Sequence, residues 1–252
     1  MKLSDFAVLS FDCYGTLIDW ESGIHDALAP LRGRLGAAGA VPGAGLSRAS
    51  GELTWEDMLQ AFARLESRQQ EKTPDMLYSD LLAEVHGQLA VEWGVPRVAE
   101  EDAAFGRSIA DWPPFPDTVA ALQYLKQHFR LVILSNVDRA SFQATNARLG
   151  VAFDAIYTAQ DIGSYKPDLR NFRYLLDRLR EQGVAQDKLL HVAQSLFHDH
   201  VPANALGLAS AWIDRRDGRD GGGATAPVPE GVRYDFRFTG LGELAEAHRA
   251  GG

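Results

Sequence analysis

The sequence predicts an α/β fold: a mostly parallel sheet, interrupted near its start by a helical insert. Three observations predict it. The segment from Phe6 to Phe11 is almost continuously apolar and β-prone, as suits a strand buried on both faces. Further runs of the same kind alternate with helical patterns, the signature of βαβ crossovers. Between Ile18 and Trp112 the alternation stops, and only helical stripes are found.

Taken in order, the first strand is followed by Asp12 and then by the insert. Two apolar stripes mark helices there, Trp55, Met58, Leu59, Phe62 and Leu65, then Leu77, Leu81, Leu82, Val85 and Leu89. An Ala- and Gly-rich loop from Gly36 to Gly45 precedes them. Val119, Leu122 and Leu125 predict a helix over Pro116 to His128, and a strand follows at Leu131 to Leu134. Ala155 to Tyr157 is the next strand, and Tyr174, Leu175, Leu176 and Leu179 predict a helix over Asn171 to Leu179. Strands follow at Leu189 to Ala193, Ala211 to Ile213 and Tyr234 to Phe238, with Leu241 to His248 tucked back on the core. Arg216 to Gly231 is Gly- and Pro-rich and reads as a surface loop. The expected division is a core of residues 1–17 and 113–252 and a helical cap of 18–112. Because ligands of open α/β sheets bind beyond the carboxyl ends of the strands, the insert reads as a lid over the first strand.

A chain of 252 residues suits one large domain or two modest ones. Its 46% apolar and 23% charged residues are ordinary for a folded domain. A formal net charge of −9 argues against a nucleic-acid partner, which needs clustered Lys and Arg to displace counterions. It does not exclude a small anionic substrate, since a local pocket can oppose the overall charge. The lone cysteine, Cys13, can form neither an internal disulfide nor a cysteine metal cage. No apolar run reaches the roughly 18 residues of a membrane span, and the N-terminal run is too short for a signal peptide. The expectation is a soluble, cytoplasmic protein with no membrane or nucleic-acid partner; a homodimer through the cap stays open.

Four strand or loop ends offer chemistry. Asp12 follows the first strand and leads into Cys13-Tyr14-Gly15-Thr16; Ser135 and Asn136 end the second; Lys166 precedes a helix start; Gln194 and Ser195 lead to Asp199. In a parallel sheet these ends share one edge, so a carboxylate, a hydroxyl, an ammonium and a second carboxylate can converge.

The segments FDCYGTL, LSN, YKPD and VAQSLFHD, in that order from Phe11 onward, resemble the four motifs of the haloacid dehalogenase superfamily. The resemblance implies a Rossmann-like core with a cap inserted after the first motif, and Asp12 as a nucleophile supported by Lys166 and Asp199. Cys13, Tyr14, Thr16, Ser135, Asn136, Gln194 and Ser195 are then the expected substrate contacts, with backbone amides near Cys13 and Asn136, together with Ser135 and Thr16, holding a carboxylate. Asn136 and cap aromatics would receive the halide.

Two positions separate the superfamily's branches. Its phosphatases carry a second Asp two residues after the nucleophile, where this chain has Tyr14, and a magnesium-binding Asp where it has Gln194. The loss has a physical reading. A phosphate brings about two negative charges toward Asp12, each costing on the order of 3 kcal/mol at roughly 5 Å and an effective dielectric of about 20. Magnesium normally offsets this. A carbon–halogen bond is neutral, and halide leaves without a proton. The resemblance therefore implies an (S)-2-haloacid dehalogenase with no metal and no cofactor. The alternatives are a Mg2+-dependent phosphatase acting on a small phosphomonoester and a non-catalytic binding protein; the trio Asp12, Lys166 and Asp199 argues against the last.

The resemblance departs at known places. Those dehalogenases grip substrate with a cap arginine that has no evident counterpart; Arg64 and Arg68 read as solvated helix charges. Phe172 stands where they have Tyr, and Leu196 where they have Asn. His198 and His200 read as polar residues at the site mouth rather than metal ligands, Cys13 as a core thiol, and Trp20 and Trp112 as marks of the cap hinges.

Overall fold

A computed structural model describes residues 1–38, 53–217 and 230–251. Among these residues six strands form one all-parallel sheet in the order β3-β2-β1-β4-β5-β6: β1 Val8–Phe11, β2 Arg130–Ser135, β3 Ala155–Thr158, β4 Leu189–Ala193, β5 Ala209–Ile213 and β6 Phe236–Phe238. Every side chain of β1 and β4 is buried, which explains their uninterrupted apolar character. The strand order reverses between β1 and β4, and a crevice opens beyond their carboxyl ends at such a point.

Eleven α-helices are present among the described residues: α1 Trp20–Ala27, α2 Ala29–Ala38, α3 Trp55–Lys72, α4 Tyr78–Glu92, α5 Ala99–Arg107, α6 Thr118–Leu125, α7 Arg139–Leu149, α8 Ala159–Ile162, α9 Leu169–Glu181, α10 Val201–Ala205 and α11 Leu241–Arg249. The first five fall between β1 and β2, with no strand among the described residues of that stretch. Helix α3 begins at a capping box, in which Thr54 Oγ1 accepts from Asp57 N and Asp57 Oδ2 accepts from Thr54 N. It buries Met58, Leu59, Phe62 and Leu65 of the stripe read from the sequence, while Trp55 at the head of that stripe is half-buried. Helix α9 buries Phe172, Leu175 and Leu179 against the sheet.

The differences from expectation lie at element ends. The first strand starts at Val8, because Phe6 and Ala7 precede the ladder. The last starts at Phe236, with Tyr234 and Asp235 ahead of it. The predicted helix over Pro116 to His128 is confined to Thr118–Leu125, and a turn closes it. Gly36 to Ala38 end α2 instead of opening a loop; the rest of the expected loop, and residues 218–229 of the other, lie outside the described residues.

Two hydrogen bonds seat the helices of the insert on the sheet's crevice. The Tyr165 hydroxyl donates to Met76 O at 2.6 Å, and Ser79 N donates at 3.2 Å to Asp138, the N-cap of α7.

Candidate active site

The four strand and loop ends do meet. Lys166 Nζ lies 2.8 Å from Asp12 Oδ1, 2.7 Å from Asp199 Oδ1 and 3.0 Å from Leu134 O, spending all three N–H donors. All three side chains are buried. Asp12 arrives on the end of β1, Asp199 on a short π-helical turn, Leu196–His200, after β4, and Lys166 in the loop before α9. The ammonium therefore bridges two carboxylates from either side of the switch point.

Electrostatics bind the trio into one unit. Burial alone would discharge Lys166, but the two carboxylates reverse this and hold it above its ordinary value. Burial also opposes ionised Asp199; Lys166 and the His191 hydrogen bond overcome it and hold that carboxyl well below the usual range. Asp12 is pushed up by burial, with the Asp199 charge adding to the rise, while Lys166 and Thr16 pull against it.

Asp12 Oδ2 accepts from Thr16 Oγ1 at 2.7 Å, and Thr16 Oγ1 accepts from Gln194 N at 2.9 Å. Gly15 makes the turn between them with φ of 91°, a conformation that side chains resist. A cavity of about 70 Å³ opens onto Asp12, Lys166 and Asp199. Tyr14, Ser135, Asn136, Gln194 and Ser195 also line it. Ser135 Oγ and Asp199 Oδ2 are buried there without a partner among the described residues, and so are the atoms ready to bind an incoming molecule or water.

Several expected contacts are corrected. Thr16 does not reach the cavity, because its hydroxyl is spent between Asp12 and Gln194. Cys13 is fully buried in the core beneath, where burial pushes its thiol up. Asn136 lines the cavity, but its amide is occupied by Lys166: Oδ1 accepts from Lys166 N at 2.6 Å and Nδ2 donates to Lys166 O at 3.0 Å. Its observed work is to hold the lysine's backbone. Tyr14 turns its hydroxyl to Thr145 Oγ1 at 2.7 Å. His198 does sit at the cavity, beside Ser195, with burial bringing it down to about 4, so it is neutral. His200 does not; it is buried between Ser210 Oγ and Ala193 O. Arg64 pairs with Glu92 and Arg68 is exposed, away from the cavity. Trp20 lines the cavity, and Trp112 packs edge-on against Tyr14.

Two features escape the sequence reading. His191, inside β4, is hydrogen-bonded to Asp199 Oδ1 at 2.9 Å and to Ser10 Oγ at 2.9 Å. With Asp199 ionised, Nε2–H donates to it and Nδ1 accepts from Ser10. A buried His in an apolar strand was the available signal. Glu66, Gln70 and Tyr78 of the insert also line the cavity. The signal there was an acid on the apolar stripe of α3, four residues after Phe62.

Divalent metal does not fit this donor set. No group of three His, Cys, Asp or Glu among the described residues can hold an ion. Lys166 fills the place between the two carboxylates, and Gln194 adds no charge.

A family model for haloacid dehalogenase-like hydrolases matches residues 6–192, so the chain belongs to that family. It is a haloacid dehalogenase-like hydrolase. Over 108 residues it is 30% identical to an (S)-2-haloacid dehalogenase of Pseudomonas putida, a match covering 42% of this chain and 46% of that protein. The chain thus spans about half the length of the curated relatives it matches. Its fold is that of an L-2-haloacid dehalogenase from Xanthobacter autotrophicus, at a TM-score of 0.73, 19% identity and coverage of 98% and 100% of the two chains. It is equally that of the HAD-hydrolase YfnB from Bacillus subtilis, whose structure is bound to magnesium, at 0.71, 19%, 96% and 97%. No helix among the described residues is long and apolar enough to cross a membrane.

Proposed function

We propose that this hydrolase displaces halide from a small 2-haloacid through an ester on Asp12, without a metal, in a cavity closed by residues 18–112 as a cap. The observation that carries the reading is the Lys166 ammonium between Asp12 and Asp199. It offsets the charge of the two carboxylates that it bridges. An Asp12 oxygen attacks the halogen-bearing carbon; the C–O bond forms as the carbon–halogen bond breaks, and halide leaves with the bonding pair. Asp199, through Oδ2, orients water for attack on the Asp12 carbonyl carbon. The ester C–O bond on the acyl side then breaks, releasing the 2-hydroxy acid and a proton and regenerating Asp12.

The small cavity and the unpartnered Ser135 hydroxyl support a short substrate with an acceptor group. Tyr14 stands where the phosphatases carry their acid, and its hydroxyl is tethered to Thr145, which favours a leaving group that needs no proton. A panel of 2-haloacids and phosphomonoesters, assayed with and without chelator, tests the reading. Chloride release that ignores chelator is expected. Phosphate release restored by magnesium would replace it with the phosphatase reading.

A further inference from the structure

Glu66 takes no part in the chemistry above, yet it lines the same cavity as Asp12, Lys166 and Asp199. It stands on the buried face of α3 beside Phe62 and Leu65. Its Oε1 accepts from the Tyr78 hydroxyl at 2.5 Å and from Gln70 Nε2 at 3.5 Å; no described residue bonds Oε2. Burial pushes this carboxyl up to about 7, against the pull of the Tyr78 hydrogen bond.

The charge around it gives that position meaning. Lys166 is committed to Asp12 and Asp199, so the trio carries one excess negative charge. Among the described residues neither an arginine nor a second lysine lines the cavity. An acid substrate adds another negative charge, and an ionised Glu66 would add a third at close range. A protonated Glu66 adds none and offers an O–H donor. The other ionisable groups around it are Tyr78 on α4 and Tyr165 before α9, with Tyr14 after β1 and His198 after β4 lining the same cavity; Asp138 and Asp80 lie beside Tyr165. Burial keeps all three tyrosines protonated, and His198 is neutral. None of these supplies a positive charge.

We propose that Glu66 is a specificity-determining residue: its neutral carboxyl, held by Tyr78 through Oε1, donates from Oε2 to the carboxylate of the substrate. The proposal rests on the reading of the substrate as a small ionised acid. It makes binding of that acid depend on the Glu66 proton, so affinity falls as pH rises and Glu66 ionises.

The test uses propionate and its uncharged counterpart propionamide as unreactive probes, with affinities measured by calorimetry from pH 6 to pH 8.5 on wild type and Glu66→Gln. Propionate affinity in wild type should fall about tenfold per pH unit once Glu66 is ionised. Propionamide should show no such slope. Glu66→Gln keeps an N–H donor and cannot ionise, so its propionate profile should be flat. A flat wild-type profile, a slope that survives Glu66→Gln, or no propionate binding at pH 6 overturns the proposal. A flat propionate profile in wild type overturns the proposal even if the variant does not fold. Chloride release from 2-chloropropionate, run alongside, judges the dehalogenase reading separately. Release with a flat propionate profile overturns the role of Glu66 alone; the sloped profile without release supports that role while removing the halogen chemistry.

Discussion

The Lys166 ammonium stands 2.8 Å from the Asp12 carboxylate, and both are shut away from solvent. A buried ion pair is weak evidence for stability, but breaking one is costly, because the remaining charge is left uncompensated. Here the remainder would be two carboxylates. Lys166→Met should therefore cost about 3–5 kcal/mol of stability and abolish turnover together. Urea unfolding and a chloride assay check both. A variant of full stability would show that the carboxylates need no cation.

Asp199→Asn should separate the two halves of the reaction. Asn keeps the size of the side chain but loses the charge that Oδ2 offers to water. Ester formation is expected to continue while its hydrolysis slows by on the order of 10²-fold or more. Intact-mass measurement during turnover should then find a covalent adduct on Asp12. An unmodified enzyme with wild-type turnover would remove Asp199 from hydrolysis.

His191→Phe removes the hydrogen bonds to Ser10 and Asp199, leaving Ser10 Oγ buried without this partner. The expected loss is about 1–3 kcal/mol, with a rise in the Asp199 pKa, because one of the groups that lower it is gone. An NMR titration of the Asp199 carboxyl should show the rise as a profile moved to higher pH. An unchanged profile would make His191 purely a packing residue.

Stability should also fall as pH rises through the mildly acidic range. Glu66 titrates near the ordinary glutamate value of 4.5 when unfolded and at about 7 when folded. Below both values the two states carry the proton alike. Between them only the folded state holds it, so stability drops with pH by up to about 1.4 kcal/mol per unit. The loss is complete above the folded value and totals about 3 kcal/mol. Denaturation midpoints from pH 4.5 to 8 check this, and Glu66→Gln should flatten the trend. An equal fall in both proteins would assign it to other groups.

The parallel sheet and the helical stretch after its first strand were legible because buried parallel strands leave continuous apolar runs; Leu189 to Ala193 was read to the residue. Ends such as Tyr234 and Pro116 were misread because local β or helix preference continues past the point where the ladder or helix stops. The meeting of Asp12, Lys166 and Asp199 followed from motif order on one sheet edge. The fates of Thr16 and Asn136 did not, since a side chain's residue type does not reveal which of its hydrogen bonds the fold has already used. Glu66 was hidden for a related reason. An acid on a helix reads as solvated until the packing of α3 against the cavity shows otherwise.

Single-turnover hydrolysis of 2-chloropropionate in heavy-oxygen water tests the chemistry most directly, with enzyme in excess over substrate. If the Asp12 carboxylate forms the ester, the hydroxyl oxygen of the first product comes from the protein and is light, while the heavy atom remains in Asp12. A first product carrying heavy oxygen, with none in Asp12, would mean that water attacks the substrate carbon and that the Asp12 ester does not exist.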